Sequence, residues 1–274
     1  MRYLVFLLLI LVPILGVWTF VTADQYGWWL PENVSSYGGA IDTLFYVIAV
    51  MIVITFLGTE VVLAWAAFKF SAPKLQDKGQ FTHGSHKLEM IWTAIPAVLL
   101  LVIAFTQMST WAAIKFDANF PDGETGEGYS IENPFAEVWA SQFDWRVRYP
   151  DAAGDLYGVD AFEKPYDLVV PVDTDIVFHL RSRDVLHSFF VPAFRLKQDA
   201  VPGMTIPVWF RAEKVGEYDL ICAELCGWGH YKMAGRVKVL AQDEFDAWLE
   251  AERGSEVPGS LYHDGSMELS LIHI

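Results

Sequence analysis

Residues 221–233 read ICAELCGWGHYKM and gather Cys222, Glu224, Cys226, His230 and Met233 in a chain with only two cysteines. Three chemistries compete for such a loop. A Cys222–Cys226 disulfide would close a small ring, constrain little of the unfolded chain and leave His230 and Met233 without a role. Structural zinc takes four Cys or His ligands, commonly in CxxC pairs, and has no use for a thioether. Thiolate, imidazole and thioether together form a soft set of the kind that holds electron-transfer copper. A mononuclear site of that type needs one cysteine. Two cysteines at CxxxC spacing can bridge two copper ions close enough to share one electron's oxidation state, with little reorganisation on electron transfer. Each copper then needs an imidazole, so a second histidine must come from upstream. His179, inside the alternating run DIVFHLRS, and His187, in DVLHSFFVP, are the candidates.

The rest of the chain determines where this loop sits. Hydrophobic residues make up 53% of the 274 positions. Residues 3–23 and 90–114 carry no charge, and each reaches the ~20 residues that cross a bilayer core. Residues 43–59 are also uncharged, between Asp42 and Glu60, and VVLAWAAF extends that run to Phe68. The expected layout is a transmembrane helix or signal segment at 1–23 and a transmembrane helical hairpin at 41–114. An exported domain follows at 134–252, with a tail at 253–274. The first apolar run is long for a signal, whose core spans ~7–15 residues, which favours a retained helix. Lys69, Lys74, Lys78 and Lys87 against Asp77 place the loop between the last two spans in the cytoplasm. Residues 24–40 and everything after 115 then lie outside, periplasmic in a bacterial inner membrane. Glu60 is unusual inside a span, and is expected to pair with or snorkel toward Lys69.

Charge divides the chain as sharply as hydropathy does. Residues 1–116 hold six basic and six acidic side chains, so the whole net charge of −15 falls on the second half. That surface repels nucleic acid and suits a basic partner steered by its field.

From Pro134 onward the pattern shifts to period two. WASQFDWRVRY alternates Trp139, Ser141, Phe143, Trp145, Val147 and Tyr149 with Ala140, Gln142, Asp144, Arg146 and Arg148, as a half-buried strand does. Further strands are expected at 166–172, 175–182, 205–212, 217–222 and 235–240, with Pro, Gly and Asp between them. Many short strands without intervening helices indicate a β-sandwich or Greek-key barrel. One late helix is expected at 242–252, where Phe245, Trp248 and Leu249 share a face. Residues 117–133, acidic and Gly-rich, read as a linker.

DVLHSFFVPAFRLKQDAVPG, CAELCGWGHYKM and the hairpin entered by HKLEMIWTAIPA together closely resemble subunit II of the haem-copper cytochrome c oxidases, over roughly residues 40–250. The resemblance implies an α+β membrane protein whose N-terminal helices precede an exported all-β cupredoxin-like barrel. It implies a binuclear copper centre, CuA, with Cys222 and Cys226 as bridging thiolates and His187 and His230 as terminal imidazoles. Met233 and the Glu224 carbonyl are weak ligands, one to each copper. It further implies that the Glu224 carboxylate reaches a magnesium ion shared with subunit I. Glu89 would stand at the mouth of a proton path. Asp184 would serve donor docking, and Asp199 the subunit I interface. For Glu89 the plain alternative is an acid favoured by the helix dipole; for Asp184 and Asp199 it is a surface acid.

One departure bears on the donor. Relatives commonly read QWxW in the aromatic strand, and the first tryptophan takes the electron from cytochrome c. Here the positions read QFDW, with Phe143 first and Trp145 second, and Arg148 stands where the resemblance implies an acid of the family strand. The donor is thus open between a cytochrome c, an iron–sulfur protein and a larger complex. With no CxxCH in the sequence, no covalently bound haem c is expected in this chain. The implied partners are subunit I with other oxidase subunits, a periplasmic donor and the lipid bilayer. The implied role is to pass electrons to haem in subunit I for oxygen reduction coupled to proton translocation. A CuA-bearing nitric oxide reductase subunit and a membrane-tethered copper-delivery protein are the rivals. A quinol oxidase lacks the copper ligands, and the hairpin argues against nitrous oxide reductase.

Overall fold

The structure is a computed structural model that describes residues 2–70, 81, 83–121 and 129–254. Most of the lysine loop, the centre of the acidic linker and residues 255–274 of the tail lie outside the described residues, Lys74, Asp77 and Lys78 among them.

Three long helices come first: α1 (Arg2–Thr22), α2 (Gly38–Phe70) and α3 (His86–Lys115). Each is long and apolar enough to cross a membrane, and their outer faces are almost wholly exposed Leu, Ile, Val and Phe, as a lipid-facing surface requires. The 33 residues of α2 would span about 50 Å at ~1.5 Å per residue, against a hydrocarbon core of ~30 Å. Its first turns therefore reach beyond the bilayer. Glu60 lines an apolar groove between α1 and α2 with Pro13, Trp18 and Ala64. The expected pairing with Lys69 does not form: the Lys69 Nζ lies 4.6 Å from the Trp65 ring centroid instead.

Ten strands follow: β1 (Ala136–Ser141), β2 (Asp144–Tyr149), β3 (Phe162–Pro165), β4 (Asp167–Pro171), β5 (Asp175–Ser182), β6 (His187–Val191), β7 (Leu196–Ala200), β8 (Ile206–Arg211), β9 (Gly216–Cys222) and β10 (Ala234–Leu240). They form two five-stranded mixed sheets, ordered β3-β2-β1-β5-β8 and β4-β10-β9-β6-β7. The sheets bury Trp145, Phe178, Phe189, Phe194 and Phe210 between them. Tyr149 crosses this core: its hydroxyl donates to the Val169 carbonyl at 3.1 Å and accepts from the Val169 N–H at 2.7 Å. The result is the β-sandwich the strand pattern called for, in the cupredoxin-like form the resemblance implied. Helix α4 (Gln242–Gly254) closes one end, with Phe245 packed on Phe135 and Trp248 edge-on to Tyr149.

Two expectations change. The aromatic run 139–149 is not one strand but the β1–β2 hairpin, turned at Gln142–Phe143. Its alternation survives only in β2, where Trp145, Val147 and Tyr149 are buried. In β1 the buried set is Ala136, Glu137, Val138 and Ala140, and Trp139 leans outward. There it covers Glu137, whose carboxylate accepts from the Trp139 indole at 2.7 Å, from Tyr157 at 2.8 Å and from Arg181 at 2.9 Å. His187, outside every strand expected from the sequence, is the first residue of β6.

Residues 31–37, between α1 and α2, are fastened to the sandwich. The Val34 N–H donates to the Ala193 carbonyl at 3.0 Å, and the Glu213 N–H to the Val34 carbonyl at 2.8 Å. Ser35 Oγ donates to the Phe194 carbonyl at 2.7 Å. Arg195, nearly buried, reaches across to Asp42 on α2 with Nε at 2.6 Å and Nη2 at 3.0 Å. At the end of α3, Lys115 Nζ donates to Gln198 Oε1 at 2.7 Å. These contacts fix the sandwich over one end of the helices.

Candidate metal centre

Strand β9 ends at Cys222, and β10 begins just after Met233; the loop between them carries Cys226 and His230. Backbone bonds hold it in place. Cys222 N–H donates to the Met233 carbonyl at 3.1 Å, Ala223 N–H to the Ser188 carbonyl at 3.0 Å, and His230 N–H to the Gly227 carbonyl at 3.1 Å. The last of these starts a single 3-10 turn, His230–Lys232, that swings His230 back over Cys226. Strand β6 lies against β9, with Phe189 opposite Cys222, so His187 arrives at the same end of the sheet.

Cys222 Sγ and Cys226 Sγ stand 3.9 Å apart and unbonded, far beyond the ~2.05 Å of a disulfide. His187 Nδ1 lies 3.9 Å from Cys222 Sγ, and His230 Nδ1 3.6 Å from Cys226 Sγ. Met233 Sδ is 3.8 Å from Cys226 Sγ and 3.1 Å from His187 Nδ1. The Glu224 carbonyl oxygen is 3.2 Å from Cys222 Sγ. At metal–ligand bonds of roughly 2.0–2.3 Å, two donors on one metal stand about 3.5–4 Å apart. Most of these separations have that size and exceed ordinary hydrogen bonds. The thioether falls on the His187 side and the carbonyl by Cys222. His187 and Met233 are almost fully buried, and Cys222 and Cys226 nearly so.

The orientation of His187 is fixed from behind. Its Nε2 lies 2.7 Å from Asp184 Oδ1; a proton held there leaves the Nδ1 lone pair facing the sulfurs, as a metal-binding imidazole needs. Asp184 also accepts from the Gln142 and Val185 N–H groups, each at 2.7 Å. Gln142 in turn donates through its side chain to the Cys226 carbonyl. Burial alone would raise the Asp184 carboxyl, but His187 and the two N–H donors hold it below its usual range. Burial opposes charge on His187, yet bonds to Cys222 and Asp184 raise its pKa. Burial would likewise raise Cys222, but hydrogen bonds from His187, His230 and the backbone at Glu224 and Ser188 bring it down to about 6. Burial and the neighbouring Cys222 charge push Cys226 up to about 11. The metal-free pair thus holds one thiolate and one thiol at neutral pH.

The structure brings His187, Cys222, Glu224, Cys226, His230 and Met233 together and leaves His179 out. That histidine lies on β5, in the other sheet, with Nε2 2.9 Å from the Ile131 carbonyl. Trp145 packs edge-on to His187, ring centroids 6.3 Å apart, and has no exposed surface. Phe143 is half-buried against the sulfur loop. A Cβ added at Gly229 would come within 2.4 Å of its ring, and one at Gly227 (φ +134°) within 2.7 Å of the Gln142 side chain and 3.2 Å of the Phe143 ring. Asp184 therefore buttresses His187 rather than standing free on the surface. Asp199, half-exposed, is opposite Ser188 on β7 and pairs with Lys197 at 2.9 Å, on the side where Lys115 reaches the sandwich. Glu89 is in the first turn of α3, 3.1 Å from His86 Nδ1, at the end of that helix away from the sandwich. Sequence reasoning missed Gln142 and the two glycines. The G-W-G spacing inside the loop was the one available signal, since small residues there admit a covering side chain.

Residues 23–109 match the family described as "Cytochrome C oxidase subunit II, transmembrane domain", and residues 142–240 the family described as "Cytochrome C oxidase subunit II, periplasmic domain". A protein named "Cytochrome c oxidase subunit 2" from Cereibacter sphaeroides is 34% identical over 233 residues, covering 76% of this chain and 74% of that protein. Another of the same name, from Alkalihalophilus pseudofirmus, is 36% identical over 168 residues, covering 61% of this chain but only 45% of that protein. The crystal structure of the periplasmic domain of subunit II of cytochrome oxidase from Bradyrhizobium japonicum is 31% identical, with a TM-score of 0.39, over 43% of this chain and 91% of that one.

Proposed function

This chain belongs to the cytochrome c oxidase subunit II family, and from that premise we propose that it is the electron-accepting subunit of a haem-copper terminal oxidase. The observation that carries the reading is the pair of free thiols 3.9 Å apart, each with its own imidazole nitrogen. Cys222 and Cys226 would supply the two thiolates that hold the copper, and His187 and His230 one imidazole each. Met233, beside His187, and the Glu224 carbonyl, beside Cys222, would be the two weak donors. Bound copper supplies a one-electron couple spread over both metals. The protein's part is to keep the ligands buried and prearranged, so that little moves when an electron arrives. Asp184 holds the His187 ring in register, and the Gln142 side chain pins the loop at Cys226.

The Glu224 carboxylate, free of hydrogen bonds among the described residues, is offered to a magnesium ion shared with subunit I. Electrons leave toward haem in that subunit, where oxygen is reduced and protons are moved. Glu89, at the end of α3 away from the sandwich, would receive protons from the cytoplasm. Asp199, near the Lys115 contact, would face subunit I. The test is oxygen uptake by the purified complex with a reduced mono-haem cytochrome c, together with its copper content. Robust uptake by a complex lacking copper in this chain would refute the proposal.

Two results are expected at the site. Met233→Leu keeps both coppers, because the swap preserves volume and the thioether tunes rather than holds the metal. Its potential shifts upward, since a donor to the oxidised state is gone; redox titration of the visible band reads this, and loss of copper would contradict it. Copper loading of the metal-free protein should also depend on pH with a defined sign. Cys226 must lose its proton to bind, whereas Cys222 is already ionised above about 6. Apparent affinity therefore rises by at least about tenfold per pH unit from about pH 7 to 9, since Cys226 gives up its proton throughout and His187, whose pKa is raised, gives up any it holds at the lower end. Competition with a chelator measures it, and a flat response would rule out the unequal pair.

A further inference from the structure

Three large apolar side chains stand exposed on the sulfur loop itself: Leu225 at 75%, Trp228 at 79% and Tyr231 at 77%. Val185 and Leu186, which precede His187, are also exposed. They are drawn to the same rim by the bonds Gln142 makes to Asp184 and to Cys226. Clustered exposed apolar side chains on a water-facing domain mark a contact surface. The patch is not acidic, although its domain is. Asp184 is committed to His187, and residues 225–233 contain no acid. Their one cation, Lys232, lies 5.5 Å from the ring centroids of both Trp228 and Tyr231. Trp228 is the outermost ring. It sits edge-on over Phe143, centroids 5.2 Å apart, and its backbone lies between Cys226 and His230.

We propose that this patch binds the electron donor by apolar contact and that Trp228 is the residue the donor touches, in place of Phe143 or the buried Trp145. The partner it fits is a redox protein presenting an apolar rim around the exposed edge of its own cofactor, with acidic residues elsewhere on the domain acting only at long range. In the step, the donor's reduced centre loses one electron and the copper pair gains it; Trp228 is unchanged. A path through the Trp228 ring and two residues of backbone ends on Cys226 or His230, both ligands. This inference rests on the electron-accepting role proposed above.

The experiment is stopped-flow reduction of the intact oxidase complex by a reduced mono-haem cytochrome c at about 0.01 M and 0.1 M salt, where the screening length falls from ~30 Å to ~10 Å. Trp228→Leu should lower the second-order rate by about tenfold or more, as central tryptophans of interfaces do, and by the same factor at both salts. Trp228→Phe should retain most of the rate. Copper content, the visible spectrum and reduction by ascorbate with a small mediator should match the unsubstituted complex in both variants. A Trp228→Leu complex that reacts normally, or whose deficit appears at one salt only, would overturn the inference. Absence of copper from the unsubstituted complex would instead sink the proposed function.

Discussion

Cys226→Ser should leave a folded protein that binds at most one copper and transfers electrons more than about a hundredfold more slowly, beyond the 10–100-fold typical of losing a group that merely supports a ligand. Serine nearly preserves the shape, so the fold has no reason to fail. The loop is held by Cys222 N–H to Met233, Ala223 N–H to Ser188 and the Gln142 side chain to the residue 226 carbonyl, and none of these uses the sulfur. What goes is one of two bridges. His187, Met233 and Cys222 can still gather at one end, but His230 loses the sulfur that stood 3.6 Å from its Nδ1. A hydroxyl is a hard, weakly acidic donor and does not replace a thiolate toward copper. Copper analysis and the loss of the delocalised visible band would record the change. Retention of two coppers with normal turnover would mean that the thiols do not bridge.

Asp42→Ala should destabilise the seam between sandwich and membrane helices by about 3 kcal/mol, because it strands a nearly buried guanidinium. Arg195 Nε and Nη2 both point at the Asp42 carboxylate, and its remaining bonds go to the carbonyls of Pro31 and Pro192. Those carbonyls cannot neutralise its charge. Asp42→Asn, which keeps the acceptor oxygen without the charge, should lose less. Proteolysis of the detergent-solubilised protein reads the effect: cleavage near residues 31–37 should quicken in Asp42→Ala while the sandwich core stays resistant. Identical cleavage rates would show that the pair contributes little, and that the Val34 and Ser35 backbone bonds hold the seam alone.

The two contacts differ in how readable they are. Cys222, Cys226, His230 and Met233 lie within one turn-rich loop, so their spacing declares a soft ligand set before any fold is known. The Arg195–Asp42 pair joins positions 153 apart, and nothing local to either residue signals it. The sandwich was legible where burial alternates cleanly, as in β2 and the second half of β5. It was obscured around residue 142, because polar and aromatic residues keep alternating through the turn while the chain reverses direction. Strands β3, β6 and β7 were overlooked for a related reason: each has only four or five residues, too few for a period of two to stand out. In the sequence Asp184 reads as a donor-docking acid or an ordinary surface acid, since a loop i, i+3 spacing carries no fixed geometry; only the folded approach of β6 to the β1–β2 turn sets it behind His187.

The most direct test of the copper reading is electron paramagnetic resonance of the oxidised protein, paired with metal analysis of the same sample. A bridged pair gives about two coppers per chain and one unpaired electron whose hyperfine splitting is shared equally by both nuclei. One copper per chain with the splitting of a single nucleus, or a silent zinc-filled site, would contradict it.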